Sequence, residues 1–473
     1  MRTRVSQLWE ALRASFWFLP SLMAAAAVAL SFASIELDER VGDEWLGSLG
    51  WMYVNRPEGA RALLSTVAGS MVTVAGVVFS ITIVALTLAS SQFGPRLLRN
   101  FMRDRGNQAV LGLFIATFLY CLLVLRTIHG EDDSAFVPHL AVTAGVVLAV
   151  GSMGVLIYFI HHVASSIQAE NVIAVVARDL DGAIERQFPR DAAADEGVPP
   201  QELPPDAAAV RARDSDYLQA VDTEGLVEFA AERDLVLHLR LRPGAFVTPG
   251  AVLASAGPVD RLDGEAADRI RAGFLLGTQR TITEDPEFAI LQLVEVAVRA
   301  LSPGVNDPFT AVACVDRLGA ALCRLAARGA PSRHLLDEDG RLRLVVEIPT
   351  FSGLTDAAFH QIRQYARTSA AVTIRLLEAL ADVARETRTE EQREALRRHA
   401  DMLIRGARDA LPEELDRDDA EARHQALLTA LEAARARQGA GEGDGRGAIA
   451  QPSCASVDRA PSSGAAGGGR ASS

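Results

Sequence analysis

Four stretches of the chain, 17–35, 62–91, 106–125 and 134–160, are dominated by apolar residues and contain no Asp, Glu or Arg. Each is close to or beyond the roughly 20 residues that a helix needs to cross a hydrocarbon core about 30 Å thick. Backbone inside such a core must satisfy its own hydrogen bonds, so these stretches are expected to be transmembrane helices. The 62–91 run is longer than a bilayer requires. Its end around residues 92–95 is expected to project beyond the membrane or to bend at Gly94-Pro95. The first run follows Arg2, Arg4 and Arg13 and holds Ala29-Leu30-Ser31 as a small-residue cleavage option. It is too long for the apolar segment of a secretory signal and reads as a span.

The connections between these runs set an orientation. Arg2, Arg4 and Arg13 face only Glu10 at the N-terminus, and Arg96, Arg99, Arg103 and Arg105 face only Asp104 between the second and third runs. The other two connections are acidic: Glu36, Asp38, Glu39, Asp43, Glu44 and Glu58 outweigh Arg40, Arg56 and Arg61, and Glu131, Asp132 and Asp133 mark the last. Positive-inside bias then places both termini in the cytoplasm of a multi-pass protein in the plasma (inner) membrane. Trp45, Trp51 and Tyr53 fall in the first outer loop, where interfacial aromatics belong.

Composition narrows the chemistry. The net charge is −13, from 47 cations and 60 acids, and every cation is Arg. Without Lys there can be no Walker A loop and no Schiff-base, lipoyl or biotinyl chemistry. An acidic total also argues against nucleic acid as a partner, since such binding relies on a basic face. Cys121, Cys314, Cys323 and Cys454 are far apart and read as free thiols.

Beyond residue 162 the chain reads as a cytoplasmic part. Val172, Val176, Leu180, Ile184 and Phe188 repeat every four residues, so 163–188 is expected to carry the fourth span onward as a helix. The Pro- and Ala-rich 189–215 reads as a flexible loop. Residues 216–260 turn β-like, with turns at Arg242-Pro243-Gly244 and Pro249-Gly250, as in a small β-barrel or hammerhead. From 261 to 437 helices dominate. Asp285-Pro286 and Asp307-Pro308 each place an Asp N-cap before a Pro at the first helical position. A strand-like run covers 341–348, one long helix is expected over 355–386, and further helices over 390–410 and 418–437. The Gly-, Ser- and Ala-rich 438–473 is expected to be disordered.

Several blocks resemble a known family. GSMVTVAGVVFSITIVALTLASSQFGPRLLRNFMRDRGNQAVLGLFIATFLYCLLVLRT (69–127), YFIHH (158–162), RPGAFV (242–247) and ALSPGVNDPFTA (300–311) closely resemble the bacterial predicted membrane proteins grouped as domain of unknown function 2254. The resemblance covers about residues 15–381. It implies an integral membrane protein with a cytoplasmic C-terminal part.

The second span carries the most information. Thr66, Thr73, Ser80 and Thr87 repeat every seven residues, interleaved with Gly69, Gly76, Ile83 and Ser90. Ile83 apart, this is a stripe of small or hydroxyl side chains that lets helix backbones approach closely or lines a narrow polar path. Either use predicts that the stripe avoids lipid. Arg96, Arg99 and Arg103, at i, i+3 and i+7, read as membrane anchors or as a cytoplasmic ring that favours anions. No ionisable group lies in a span core, which disfavours proton-coupled transport. His161 and His162 diverge by about 100° on a helix and cannot share an ion, so they read as interfacial anchors; no metal or other cofactor is expected.

In Ser302-Pro303-Gly304-Val305-Asn306-Asp307-Pro308, Asp307 reads as a cap, while Gly304 and Asn306 could offer amides to a small ion or anionic ligand. Arg280 and the face of His360, Gln364 and Arg367 are further ligand candidates. There is no HExxH, GxSxG or dinucleotide GxGxxG motif, so no catalytic residue is assigned and an enzyme is the least favoured reading. The expected protein is α-helical and integral to the membrane, with four transmembrane helices over 1–162 and a mixed α+β, mostly helical cytoplasmic domain containing a small β-rich subdomain. Its expected role is a homo-oligomeric, channel-like pore with the second span near the axis. The alternative is a membrane-anchored sensor or scaffold without a pore.

Overall fold

All four apolar runs are helical in the computed structural model, which describes residues 17–41, 57–97, 104–128, 136–189 and 206–441. They form α1 (Phe18–Val41), α2 (Pro57–Phe93), α3 (Arg105–Thr127) and α4 (His139–Ser166), each long and apolar enough to cross a membrane. α3 packs against the other three and is the centre of the bundle. Of its most apolar stretch 56% is buried, against 11% for α2, which touches the bundle along one face only.

Polar side chains tie the helix ends. At the end of the bundle holding the α1 C-terminus, Asp38 takes the Leu140 and Ala141 amides at 2.9 Å each. It thereby caps α4 from a neighbouring helix, where the positive end of the helix dipole favours a carboxylate. Arg61 donates to the carbonyl of Ile128, the C-cap of α3, with Nη2 at 2.8 Å. Deeper in, the fully buried Tyr120 hydroxyl donates to Ala141 O at 3.0 Å and lies 2.9 Å from Ser34 Oγ. At the opposite end, Asp104 caps α3 through Gly106 N and meets His162 Nε2 at 2.6 Å. His162 is thus a tie between α3 and α4, stacked on Tyr158, whereas the adjacent His161 is exposed.

The expected continuous helix through 163–188 is interrupted. Gln168 is extended, and α5 (Ala169–Gln187) starts afresh. Val172, Val176, Leu180, Ile184 and Phe188 are all buried, as their spacing requires, but against the helical domain, so α5 breaks from the line of α4 to reach it.

The β-rich part comprises β1 (Ala208–Arg211), β2 (Asp216–Val221), α6 (Thr223–Glu232), β3 (Val236–Leu239), β4 (Phe246–Val247), β5 (Val252–Gly257), α7 (Gly264–Ala272) and β6 (Phe274–Gly277). Two later strands, β7 (His334–Leu336) and β8 (Leu342–Val345), join it. The strands form a five-stranded sheet in the order β1-β5-β3-β8-β7 and a three-stranded sheet in the order β4-β2-β6. β3 and β8 run parallel, with Leu237 opposite Leu344; the other pairs are antiparallel. This differs from the contiguous 216–260 unit expected: β1 lies in the segment read as loop, and β8 arrives from more than a hundred residues away. Arg343 holds β8 in place, donating to Asp234 Oδ1 at 2.8 Å and Asp337 Oδ2 at 2.7 Å.

The helical domain contains α8 (Pro286–Ala300), α9 (Pro308–Ala326), α10 (Phe351–Tyr365), α11 (Ala370–Glu386), α12 (Glu390–Ala410) and α13 (Glu414–Gly441). The helix expected over 355–386 is two, broken at extended Ser369, because α10 packs on α8 and α12 while α11 packs on α9 and α13. α13 extends to Gly441, and the rest of the tail lies outside the described residues.

The Tyr120 site separates packing from hydrogen bonding. Tyr120→Phe keeps the volume and is expected to cost about 1 kcal/mol or less, in line with interhelical hydrogen bonds in membranes. Tyr120→Ala opens a cavity and is expected to cost about 3 kcal/mol. Thermal unfolding of both variants in one detergent would check the order, and equal losses would contradict it.

Candidate functional site

The stripe on α2 faces away from the rest of the chain. Thr66, Gly69, Thr73, Gly76, Ser80 and Thr87 are exposed and Ser90 is half-buried, whereas Ala60, Leu64, Ala68, Val78, Ala89 and Phe93 form the packed face. A Cβ at Gly69 or Gly76 would have no neighbour within 4 Å. The Thr66, Thr73 and Thr87 hydroxyls donate to carbonyls one turn back, at 2.7, 3.1 and 2.9 Å. The threonines of the row therefore satisfy their own hydrogen bonds.

The C-terminal end of α2 is built into the helical domain. Ala89 and Phe93 belong to the same buried core as α5 and α8 to α13. The helix stops at Gly94, whose φ is +108°, a backbone conformation that favours glycine. A Cβ here would collide with the Glu295 carboxylate of α8. That carboxylate lies between two cations, Arg96 Nη1 at 3.6 Å and Arg299 Nε at 3.5 Å. Arg299 Nη1 also donates to Ser91 O at 3.3 Å. Arg96, expected as a membrane anchor or a member of a charged ring, thus pairs with an acid of the helical domain. Arg99 and Arg103 lie outside the described residues. Further back along α2 is a mostly apolar cavity of about 250 Å³, lined by Phe79, Ile83 and Leu86 together with Asn107, Val163 and Trp17.

The remaining candidates fall in three separate places. Arg280 is committed to Asp285, with both Nε and Nη2 at 2.7 Å from Oδ2, and its guanidinium lies 5.4 Å from the Phe288 ring centre. Asp285 also caps α8 through Phe288 N. Burial pushes the Asp285 carboxyl above its ordinary range, and Arg280 opposes that rise. The turn at Gly244, φ +94°, lies directly on this pair, where a Cβ would strike the Asp285 carboxylate. RPGAFV and the Asp285-Pro286 cap are therefore the two sides of the joint between the β-rich part and the helical domain.

The loop of Gly304, Asn306 and Asp307 starts three residues after Arg299. Three of its amides are already used: Val305 N and Asn306 N bond Ser302 O at 3.1 and 2.9 Å, and Asp307 N bonds Ala300 O at 2.8 Å. Asp307 itself takes Phe309 N, Thr310 N and the Thr310 hydroxyl, which hold its carboxyl below the usual range. The cap is as expected, and of the two amides that could serve an anion, that of Asn306 is spent. Gly304 faces open space, and Val305 and Phe309 project outward, 54% and 86% exposed.

His360 lies on α10 and Arg367 in the turn that follows it, and they engage different partners. Arg367 pairs with Asp409 of α12 at 3.3 Å. His360 Nε2 is 3.3 Å from Asp356 Oδ1, which His399 Nε2 of α12 also meets at 2.7 Å. Burial pushes His399 down to about 4, so its imidazole is neutral near pH 7. The Asp356-to-His360 spacing of i, i+4 was visible in the sequence; the approach of His399 was not.

The family model described as "Predicted membrane protein (DUF2254)" matches residues 13–382. The chain belongs to this family. Among its relatives, the uncharacterized protein MT1328 of Mycobacterium tuberculosis (strain CDC 1551 / Oshkosh) is 34% identical over 427 residues, covering 88% of this chain and 81% of the relative. The uncharacterized protein Mb1321c of Mycobacterium bovis is 33% identical, with the same coverage. No solved structure gives a significant match.

The Arg280–Asp285 pair, 19% and 2% exposed, generates a contrast with surface pairs. Arg280→Met leaves a buried carboxylate without its cation and is expected to cost about 3 kcal/mol. Arg213→Met, which removes an exposed partner of Asp268, is expected to cost less than about 1 kcal/mol. The two midpoints of thermal unfolding test this directly.

Proposed function

We propose that this DUF2254 protein is a homo-oligomeric, channel-like protein of the plasma membrane, with α2 beside the symmetry axis and the helical domain on the cytoplasmic side controlling it. The observation that carries the reading is the orientation of α2. Its small and hydroxyl residues face outward from the subunit while its C-terminal end is rooted in the domain core. Outward small residues let neighbouring copies approach, and a hydroxyl row suits a narrow polar path. The Arg-rich connection after α2 supports a cytoplasmic position for the attached domain. A coupled transporter is disfavoured by span cores without ionisable groups.

One observation favours a second reading, a membrane-anchored sensor or scaffold. The three threonine hydroxyls of the stripe satisfy themselves by bonding their own helix, so they make no demand on a neighbour. Scanning cysteines in a chain whose four native cysteines are replaced by alanine separates the two readings. In a pore, cysteines at Thr73, Ser80 and Thr87 react with water-soluble thiol reagents. Those at Val74 and Val78, packed into the bundle, stay protected. Uniform protection of α2 in a monomeric nanodisc would overturn the pore, whereas unitary currents from purified protein in a planar bilayer would overturn the scaffold.

A further inference from the structure

Asp356, His360 and His399 bring one carboxylate and two imidazoles to a single point on the seam between α10 and α12, with their donor atoms all within 4.8 Å of one another. Asp356 and His360 are one turn apart on the same face of α10, and His399 approaches from α12. The His399 ring is fully buried and held in orientation, edge-on to Phe359 at 6.2 Å between centroids and 4.8 Å from the His360 ring. Asp356 and His360 are 33% and 40% exposed, so the same point opens to solvent on its other side.

From this convergence we infer a binding site for a first-row divalent transition metal, of the zinc type, held by Asp356, His360 and His399. Two imidazoles and a carboxylate are a donor set for such ions, and three protein ligands leave a position open for water or another small ligand. The crowding at one oxygen supports the assignment. Asp356 Oδ1 receives Arg398 Nη2 at 2.6 Å as well as the two imidazoles, more donors than its two lone pairs serve well. An ion at the focus gives both Nε2 atoms a partner of their own. Arg398 already donates to Ser352 Oγ at 3.1 Å, which leaves it an acceptor when the carboxylate turns to the metal.

One feature limits affinity. His399 Nδ1 is buried without a hydrogen-bond partner, and a metal-ligating imidazole is usually steadied by an acceptor at that nitrogen. The site is therefore expected to bind about 10- to 100-fold more weakly than one with a complete outer shell. Local spacing could not reveal it, since only the i, i+4 pair is close in sequence. The inference is independent of the pore reading, because binding is read without any current.

The test is zinc titration of the untagged full chain in detergent, by calorimetry and by thermal unfolding. Cobalt absorption in the visible range reports the geometry of the bound ion. The expected result is one chelator-reversible zinc per chain, a raised unfolding midpoint, and a loss of at least about tenfold in affinity in both H360A and D356N. Both variants change partly exposed side chains, and their unfolding midpoints in chelator serve as the folding control; His399→Ala would confound binding with core damage. Absence of zinc binding up to about 100-fold molar excess, or unchanged affinity in H360A and D356N with folding intact, would overturn the site.

Discussion

The second helix is longer than any bilayer needs, and much of the architecture follows from where the surplus goes. Its 37 residues make a rod of about 55 Å, against a hydrocarbon core of about 30 Å. Apolar helix that leaves the membrane has to be covered by protein. Here Ala89 and Phe93 are covered by the core of the helical domain, so the transmembrane bundle and that domain share buried surface rather than meeting through a linker. The stop at Gly94, and the Glu295 carboxylate set against it between Arg96 and Arg299, then fix the angle at which the domain hangs from the helix.

A second joint links the β-rich part to the helical domain through Arg280, Asp285 and the Gly244 turn. Both joints use the same device, a guanidinium set on an acid where a glycine allows close approach. In a chain whose every cation is Arg, this economy has a physical basis. A planar, weakly hydrated guanidinium tolerates partial burial and presents several donors at fixed angles, which a lysine ammonium does not. Arg343 does the same inside the sheet, joining β8 to the Asp234 and Asp337 loops.

The apolar runs, the two Asp-Pro caps, the glycine turns and the amphipathic face of α5 were all legible, because each is written in residues within a few turns of one another. The break between α10 and α11, the parallel pairing of β3 with β8, and the split of α4 from α5 were not. Each is decided by which distant surface an element has to cover. The same division holds for the candidate residues. The α2 stripe and its glycines could be read directly, but its outward orientation depends on which face α3 and α4 occupy. Arg280 looked like a free ligand because Asp285, five residues on, was read only as a cap. His162 looked like an anchor because its partner Asp104 caps another helix.

A rigid α2 rooted in the helical domain and packed on the bundle at its other end also behaves as a lever. With Phe93 and Gly94 held by the helical domain, a tilt of about 1° displaces the Pro57 end by about 1 Å. A rearrangement in the domain too small to disturb its packing would therefore reach the far face of the membrane amplified, with no hinge in between to absorb it.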